Sequence, residues 1–78
     1  MDNRGDTIEF HIDRHIALLG DSRGGWKTEL NLVSWNGREP KYDIRAWDPE
    51  HKKMGKGITL SVEEASRLKD SLVNHFDA

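Results

Sequence analysis

The 78-residue chain has no cysteine, no long apolar run and little net charge, −2 at neutral pH. Without cysteine there is no disulfide framework, no thiolate zinc site and no thiol nucleophile. That fits a reducing compartment. No stretch approaches the ~20 consecutive apolar residues of a membrane span. The start, "MDNRGDTIEF", carries no apolar signal region. A soluble cytoplasmic protein with no membrane partner is expected. Residues 1–7 are expected to be a disordered leader and 8–78 one domain. A chain this short buries only roughly 60% of its unfolded surface, so its core is marginal and dimerisation is a common remedy.

Catalytic patterns are absent as well. The serines at 22, 34, 61, 66 and 71 stand in no nucleophile motif. Asp43, Asp48 and Glu50 are read as ordinary acids around a proline turn, with nothing to bury them. "GKG" at 55–57 is too short for a phosphate loop. "RGD" at 4–6 is read as chance. His11 and His15, four residues apart on a strand, would share a face but stand ~13 Å apart, too far to share an ion. They are read as a solvent-facing pair. The expectation is no enzyme, no cofactor and no metal.

What the chain does have is uneven charge. Residues 1–22 hold two basic and five acidic groups, 23–57 eight and five, and 58–78 two and four. The basic middle also holds Trp26, Trp35, Tyr42 and Trp47. Local charge, rather than the total, forms a binding footprint.

The periodicity predicts four strands and a helix. Ile8, Phe10 and Ile12 alternate with polar residues, and Ile16 and Leu18 keep that parity. Arg14 interrupts it, which predicts a bend or bulge. After a turn at 20–25, "WKTELNLVSW" (26–35) is a second strand. Leu30 and Leu32 should face inward with Trp26, while Lys27, Asn31, Val33 and Trp35 face outward. Asn36-Gly37 suits a turn needing positive φ, and Pro40 can precede a strand. Residues 41–47 are the third strand, with Tyr42, Ile44 and Ala46 inward and Lys41, Asp43, Arg45 and Trp47 outward. A polar loop (48–57) leads to a short fourth strand, "KGITL" (56–60). Ser61 and Glu64 form a capping box. Ala65, Leu68, Leu72 and Phe76, widened by Val62 and Val73, form a helical apolar stripe. The class is α+β, an antiparallel β-β-β-β-α order. One helix covers one sheet face, so the other is left for solvent, a second subunit or a ligand.

Outward tryptophans among lysines and an arginine suit single-stranded nucleic acid. Bases stack on aromatics for roughly 1–3 kcal/mol each, while cations follow the phosphates. A protein-docking face could use the same residues as hot spots.

The run "YDIRAWDPE…MGKGITLSVEEASRLKDSL" resembles the DNA-binding C-terminal domain of the positive cofactor 4 family of transcriptional coactivators. "DIR" leads into a Trp and "DP", a basic glycine segment, "KGITL" and a Ser-initiated helix. "GGWKTELNLVSWN" is similar to the bacterial YdbC-type branch. The resemblance covers about residues 8–75. It implies a curved four-stranded antiparallel sheet with one C-terminal helix, a homodimer, and a groove for single-stranded DNA. By position it points to Trp35, Arg45, Trp47 and Lys56, and more loosely to Lys41 and Lys53. Lys27 and Asn31 join them on the outward face. The loop from Asp48 to Gly57 lacks the longer insert of eukaryotic members, and no coactivator role depending on that branch's Ser-rich regulatory extension is expected. The expectation is a homodimeric, largely sequence-independent single-stranded DNA-binding protein of the bacterial cytoplasm or nucleoid. It would act in transcription, replication or repair, with a transcription-machinery protein as a possible further partner. Single-stranded RNA binding and a protein-interaction module are the alternatives.

Overall fold

The structure is a computed structural model and describes residues 8–78. The expected leader and the "RGD" tripeptide lie outside the described residues. Four strands, β1 (Phe10–Asp21), β2 (Lys27–Trp35), β3 (Lys41–Trp47) and β4 (Met54–Leu60), precede one helix, α1 (Val62–Asp77). The strands lie in sequence order and every neighbouring pair is antiparallel. The β-β-β-β-α order and the antiparallel sheet are as expected.

Local chemistry sets the connections. A short 3₁₀ turn at Arg23–Gly25 joins β1 to β2, and Lys27 Nζ pairs with Asp21 Oδ1 at 2.8 Å beside it. Asn36 and Gly37 both take positive φ, 53° and 75°, and the Arg38 N–H donates to the Trp35 carbonyl at 3.0 Å. The capping box is formed: Glu64 N–H donates to Ser61 Oγ (3.1 Å) and Ser61 N–H to Glu64 Oε1 (2.9 Å). Those bonds satisfy two orphan donors of the helix start.

β1 departs most from the expected pattern. The register slips at three places, between Ile12 and Arg14, His15 and Ala17, and Leu18 and Gly20. The bulge at Arg14 was expected, but each slip also exchanges faces. Phe10 and Ile12 therefore lie opposite Trp35 and Val33. Ile16 instead borders the groove under α1. His11 lies opposite Ser34 and His15 opposite Asn31, three positions apart on β2 and therefore on opposite faces. The expectation of one apolar face on β1, and of two histidines on one face, is thus corrected. β4 also begins two residues earlier than expected, with Gly55 and Lys56 bulged opposite Ala46.

The sheet is strongly curved. Phe10 pairs with Trp35 at one end of β2, and Trp47 pairs with Lys27 at the other. Eight residue steps separate those ends, ~26 Å on a straight strand. Yet the Phe10 and Trp47 ring centroids are 5.1 Å apart. The face carrying Phe10, Asn31, Val33, Asp43 and Trp47 is therefore concave and closes upon itself. α1 lies over the opposite, convex face, where Leu30, Tyr42, Ile44 and Leu60 border a groove of about 460 Å³ beneath it.

Curvature reverses the expected burial. Trp47, Val33, Asn31 and Asp43, expected to point outward, do face away from the helix. All four are fully buried. Tyr42, Ile44 and Ala46, expected to close the core, are only half-buried. A concave surface brings its side chains together, whereas a single helix reaches only part of a convex one. Trp26, read as inward, is half-buried just before β2. The helix stripe stays open: Leu72 is 45% exposed and Phe76 75%.

Candidate nucleic-acid interface

The concave face is organised around two polar clusters and one aromatic cluster. In the first polar cluster, Arg45 Nε donates to Asp43 Oδ1 (2.7 Å) and Nη2 to Oδ2 (2.8 Å). This fork-on-fork geometry is the strongest form of the pair. Thr59 Oγ1 adds a third hydrogen bond to Asp43 Oδ2 (3.1 Å), and Arg45 Nη1 donates to the Gly55 carbonyl (3.3 Å). The reading of Asp43 as an exposed acid is overturned, because the β2 and β4 strands flank it on the closed face.

Gly57 is what lets this clamp form. It pairs with Arg45 across β3 and β4, and a Cβ at position 57 would collide with Arg45 Cβ and the Ile44 carbonyl. The carbonyl is backbone and cannot swing aside. Gly57→Ala is expected to cost on the order of 1–3 kcal/mol, the usual range for overpacking. Urea denaturation measures it, and an unchanged midpoint would show that Arg45 yields freely.

The second cluster surrounds Glu29. Asn31 Nδ2 donates to Glu29 Oε1 (3.1 Å), and His51 Nε2 donates to Oε2 (2.9 Å). His15 Nδ1 donates to Asn31 Oδ1 (2.8 Å) and lies 3.5 Å from Glu29 Oε1. His15 is therefore tied into the face rather than one of a free histidine pair. Burial alone would raise the Glu29 pKa. The hydrogen bonds from Asn31 and His51, with the charges of His51 and His15, more than offset that and hold it below its usual value. A depressed folded-state pKa stabilises the fold above the unfolded value, and that contribution disappears as pH falls through the folded one. Thermal melts from neutral pH into the acid range should lose stability below about pH 4.5, the ordinary glutamate region. Glu29→Gln should flatten that part of the profile. An acid limb of the same steepness in the variant would assign the effect elsewhere.

The loop at 48–53 places His51. Asp48 Oδ1 accepts the Lys52 and Lys53 N–H groups (2.7 and 2.9 Å), and the Asp48 carbonyl accepts the His51 N–H (2.9 Å). The Lys53 N–H foremost, despite some desolvation, holds the Asp48 carboxyl below its usual pKa. His51 takes φ 58°, an uncommon left-handed conformation for a residue with a side chain. There its ring stacks on Trp47, centroids 5.8 Å apart.

The aromatic cluster completes the face. Phe10 touches both Trp47 (5.1 Å) and Trp35 (6.1 Å), tilted by 49° and 48°. The Arg45 guanidinium lies over Trp35, 4.8 Å from its centroid, a cation–π contact.

The residues singled out from the sequence thus fall into two groups. Trp35, Arg45, Trp47 and Asn31 come together on the concave face, with Trp47 and Asn31 inaccessible and Trp35 and Arg45 half-buried. Lys27, Lys41, Lys53 and Lys56 are exposed. Lys27 is shared with Asp21. Glu29, His51 and Thr59 escaped the sequence reading, while Phe10 was read only as a strand residue and His15 only as one of a solvent-facing pair. Glu29 could have been found as a carboxylate in step with Asn31 and Val33. Among the described residues no three histidine, aspartate or glutamate side chains gather as a metal site. No helix among them is long and apolar enough to cross a membrane.

Residues 22–71 match the family model described as Transcriptional Coactivator p15 (PC4). An uncharacterized protein of Treponema pallidum (strain Nichols) is 48% identical over 67 residues, which cover 86% of this chain and 79% of that protein.

Proposed function

The chain belongs to the transcriptional coactivator p15 (PC4) family, and from that premise we propose that it binds single-stranded DNA without marked sequence preference, as a homodimer. The observation that carries this reading is the concave face, where half-buried Trp35 and Phe10 cluster with the buried Trp47 beside an arginine. Exposed Lys41, Lys53 and Lys56 supply charge for phosphates. Aromatic surface with cations serves unpaired bases, whose faces duplex DNA hides. No groove-reading helix pair is present among the described residues, since the one long helix lies against the sheet.

The convex face supports the dimer reading. Leu68, Leu72, Val73 and Phe76 remain exposed on α1, and the groove beside them is lined by Leu30, Ile44 and Leu60. A second copy of the same surface offers matching apolar cover. Sedimentation should give a dimer at tens of micromolar, on the order of the concentrations where obligate dimers persist. A role in bacterial transcription, replication or repair, within the cytoplasm and without catalysis, is in keeping with the family and the bacterial relative.

The test is a salt-dependent titration of oligo-dT, a matched oligo-rU and a random duplex. Oligo-dT should bind well ahead of the duplex. Lys56→Ala should reduce the slope of log affinity against log salt by about 0.7, the value of one phosphate contact on a single strand. Equal affinity for oligo-dT and duplex contradicts the reading. A preference for oligo-rU makes RNA the ligand. Absence of nucleic-acid binding leaves a protein-docking module, such as one for the transcription machinery.

A further inference from the structure

Trp47 is wholly buried, yet it lies on the face where a single strand would stack. Two rings cover it: His51 on one side and Phe10 on another. Phe10 also touches Trp35, so a single flat ring bridges the two tryptophans, tilted by 48° and 49° to them. The indole Nε1 groups of both Trp35 and Trp47 are buried without an acceptor among the described residues. Buried donors without partners are rare in folded proteins and call for an explanation.

We propose that the space between Trp35 and Trp47 is a nucleobase slot and that Phe10 is its internal occupant, a plug that a base must displace. This rests on the single-strand reading above and adds to it a residue that opposes binding.

The two covering rings are not equivalent. His51 is held by its Nε2 hydrogen bond to Glu29 and by the turn closed on Asp48. The Phe10 ring makes no polar contact. It stands at the first residue of β1, an edge strand, where side chains and strand ends open most easily. The backbone beside it is pinned: Asn36 Oδ1 accepts the Glu9 N–H (3.0 Å), and the Asn36 N–H donates to the Glu9 carbonyl (2.7 Å). A swing of the Phe10 side chain can therefore open the slot while the β1–β2 ladder stays paired. A base offers what Phe10 cannot, a planar face together with carbonyl oxygens able to accept from an indole N–H. The apparent affinity of such a protein is reduced by the fraction of molecules in the open form.

The experiment is binding of fluorescein-labelled oligo-dT of roughly 15 nucleotides, a length within the range of single-strand sites, by wild type, Phe10→Ala and Phe10→Leu. Circular dichroism confirms that each is folded. Acrylamide quenching of tryptophan fluorescence in the free proteins reports access to the slot. Phe10→Ala should bind roughly tenfold tighter, because the plug no longer competes. Its tryptophan emission should be more readily quenched, and its salt slope should be unchanged. Phe10→Leu keeps apolar cover without a flat ring, so it should fall between and guards against an unfolded alanine variant. A folded Phe10 variant binding equally or more weakly than wild type overturns the plug while leaving single-strand binding intact. If neither wild type nor variant binds oligo-dT, the functional reading fails and takes the slot with it.

Discussion

Trp47→Ala is expected to leave the chain largely unfolded under conditions in which the parent is folded. The side chain is fully buried and is one of two wholly buried apolar residues among the described residues. It is held between Phe10 and His51 at the point where the two ends of the curved sheet meet. Removing a buried tryptophan costs roughly 3–5 kcal/mol from lost transfer energy and the cavity left behind. Whole domains are stable by only about 5–15 kcal/mol, and short ones lie toward the low end. The loss is therefore comparable to the entire stability. Trp47→Phe should retain most of it, because a ring still spans Phe10 and His51 and the unpartnered indole N–H is gone. Urea denaturation of both variants measures this. A Trp47→Ala protein whose midpoint stays near the parent's would show that the concave cluster is not the centre of stability. The variant is also a poor probe of base stacking, since a loss of binding would follow from unfolding alone.

How far the sequence disclosed this depends on the kind of information each residue carries. Alternation along 41–47 assigns Tyr42 and Trp47 to opposite faces, and the structure agrees. Asn36-Gly37 and Ser61-Glu64 are local signals, complete within four residues, so the turn and the helix start were legible. Curvature is not local. Nothing in "KYDIRAW" states that the face bearing Asp43 and Trp47 will be rolled inward. That depends on the slips in β1 and the bulge at Gly55 and Lys56, which bend and twist their strands. One such slip was readable at Arg14. That slip already sets His15 opposite Asn31; the two further along β1 were not readable, and they set Ala17 opposite Leu30 and Gly20 opposite Thr28. The same limit hid the polar clusters. Glu29 and His51 are separated by 22 positions, and Asp43 and Thr59 by 16. Outward alternation was read as exposure, an inference valid for a flat sheet and wrong for a coiled one.

Asp43→Ala is expected to match the Trp47 loss by a different mechanism. Asp43 is fully buried, and the Arg45 side chain is only 14% exposed. The carboxylate accepts two hydrogen bonds from the guanidinium and one from Thr59. Removing it strands a cation that the folded chain keeps mostly from water. Breaking a buried pair from one side typically costs 3–5 kcal/mol, mainly through the charge left uncompensated. Asp43→Asn preserves the volume and one acceptor, so its loss should be smaller. Arg45→Met on its own also leaves a buried charge, that of Asp43. The double variant Asp43→Ala/Arg45→Met removes both charges and should recover part of what either single change loses. Urea midpoints for the cycle decide the matter, and additive losses would mean that the pair is not coupled. The same cycle separates two roles for Arg45. While Asp43 holds its fork, the guanidinium is neutralised and turned onto Trp35, a support for the aromatic surface rather than a free phosphate contact. Freed by Asp43→Asn, it should add a phosphate contact, steepening the salt dependence of oligo-dT binding by up to about 0.7 in slope. If the slope instead stays at the wild-type value in a folded Asp43→Asn protein, the arginine already reaches the phosphates past its carboxylate.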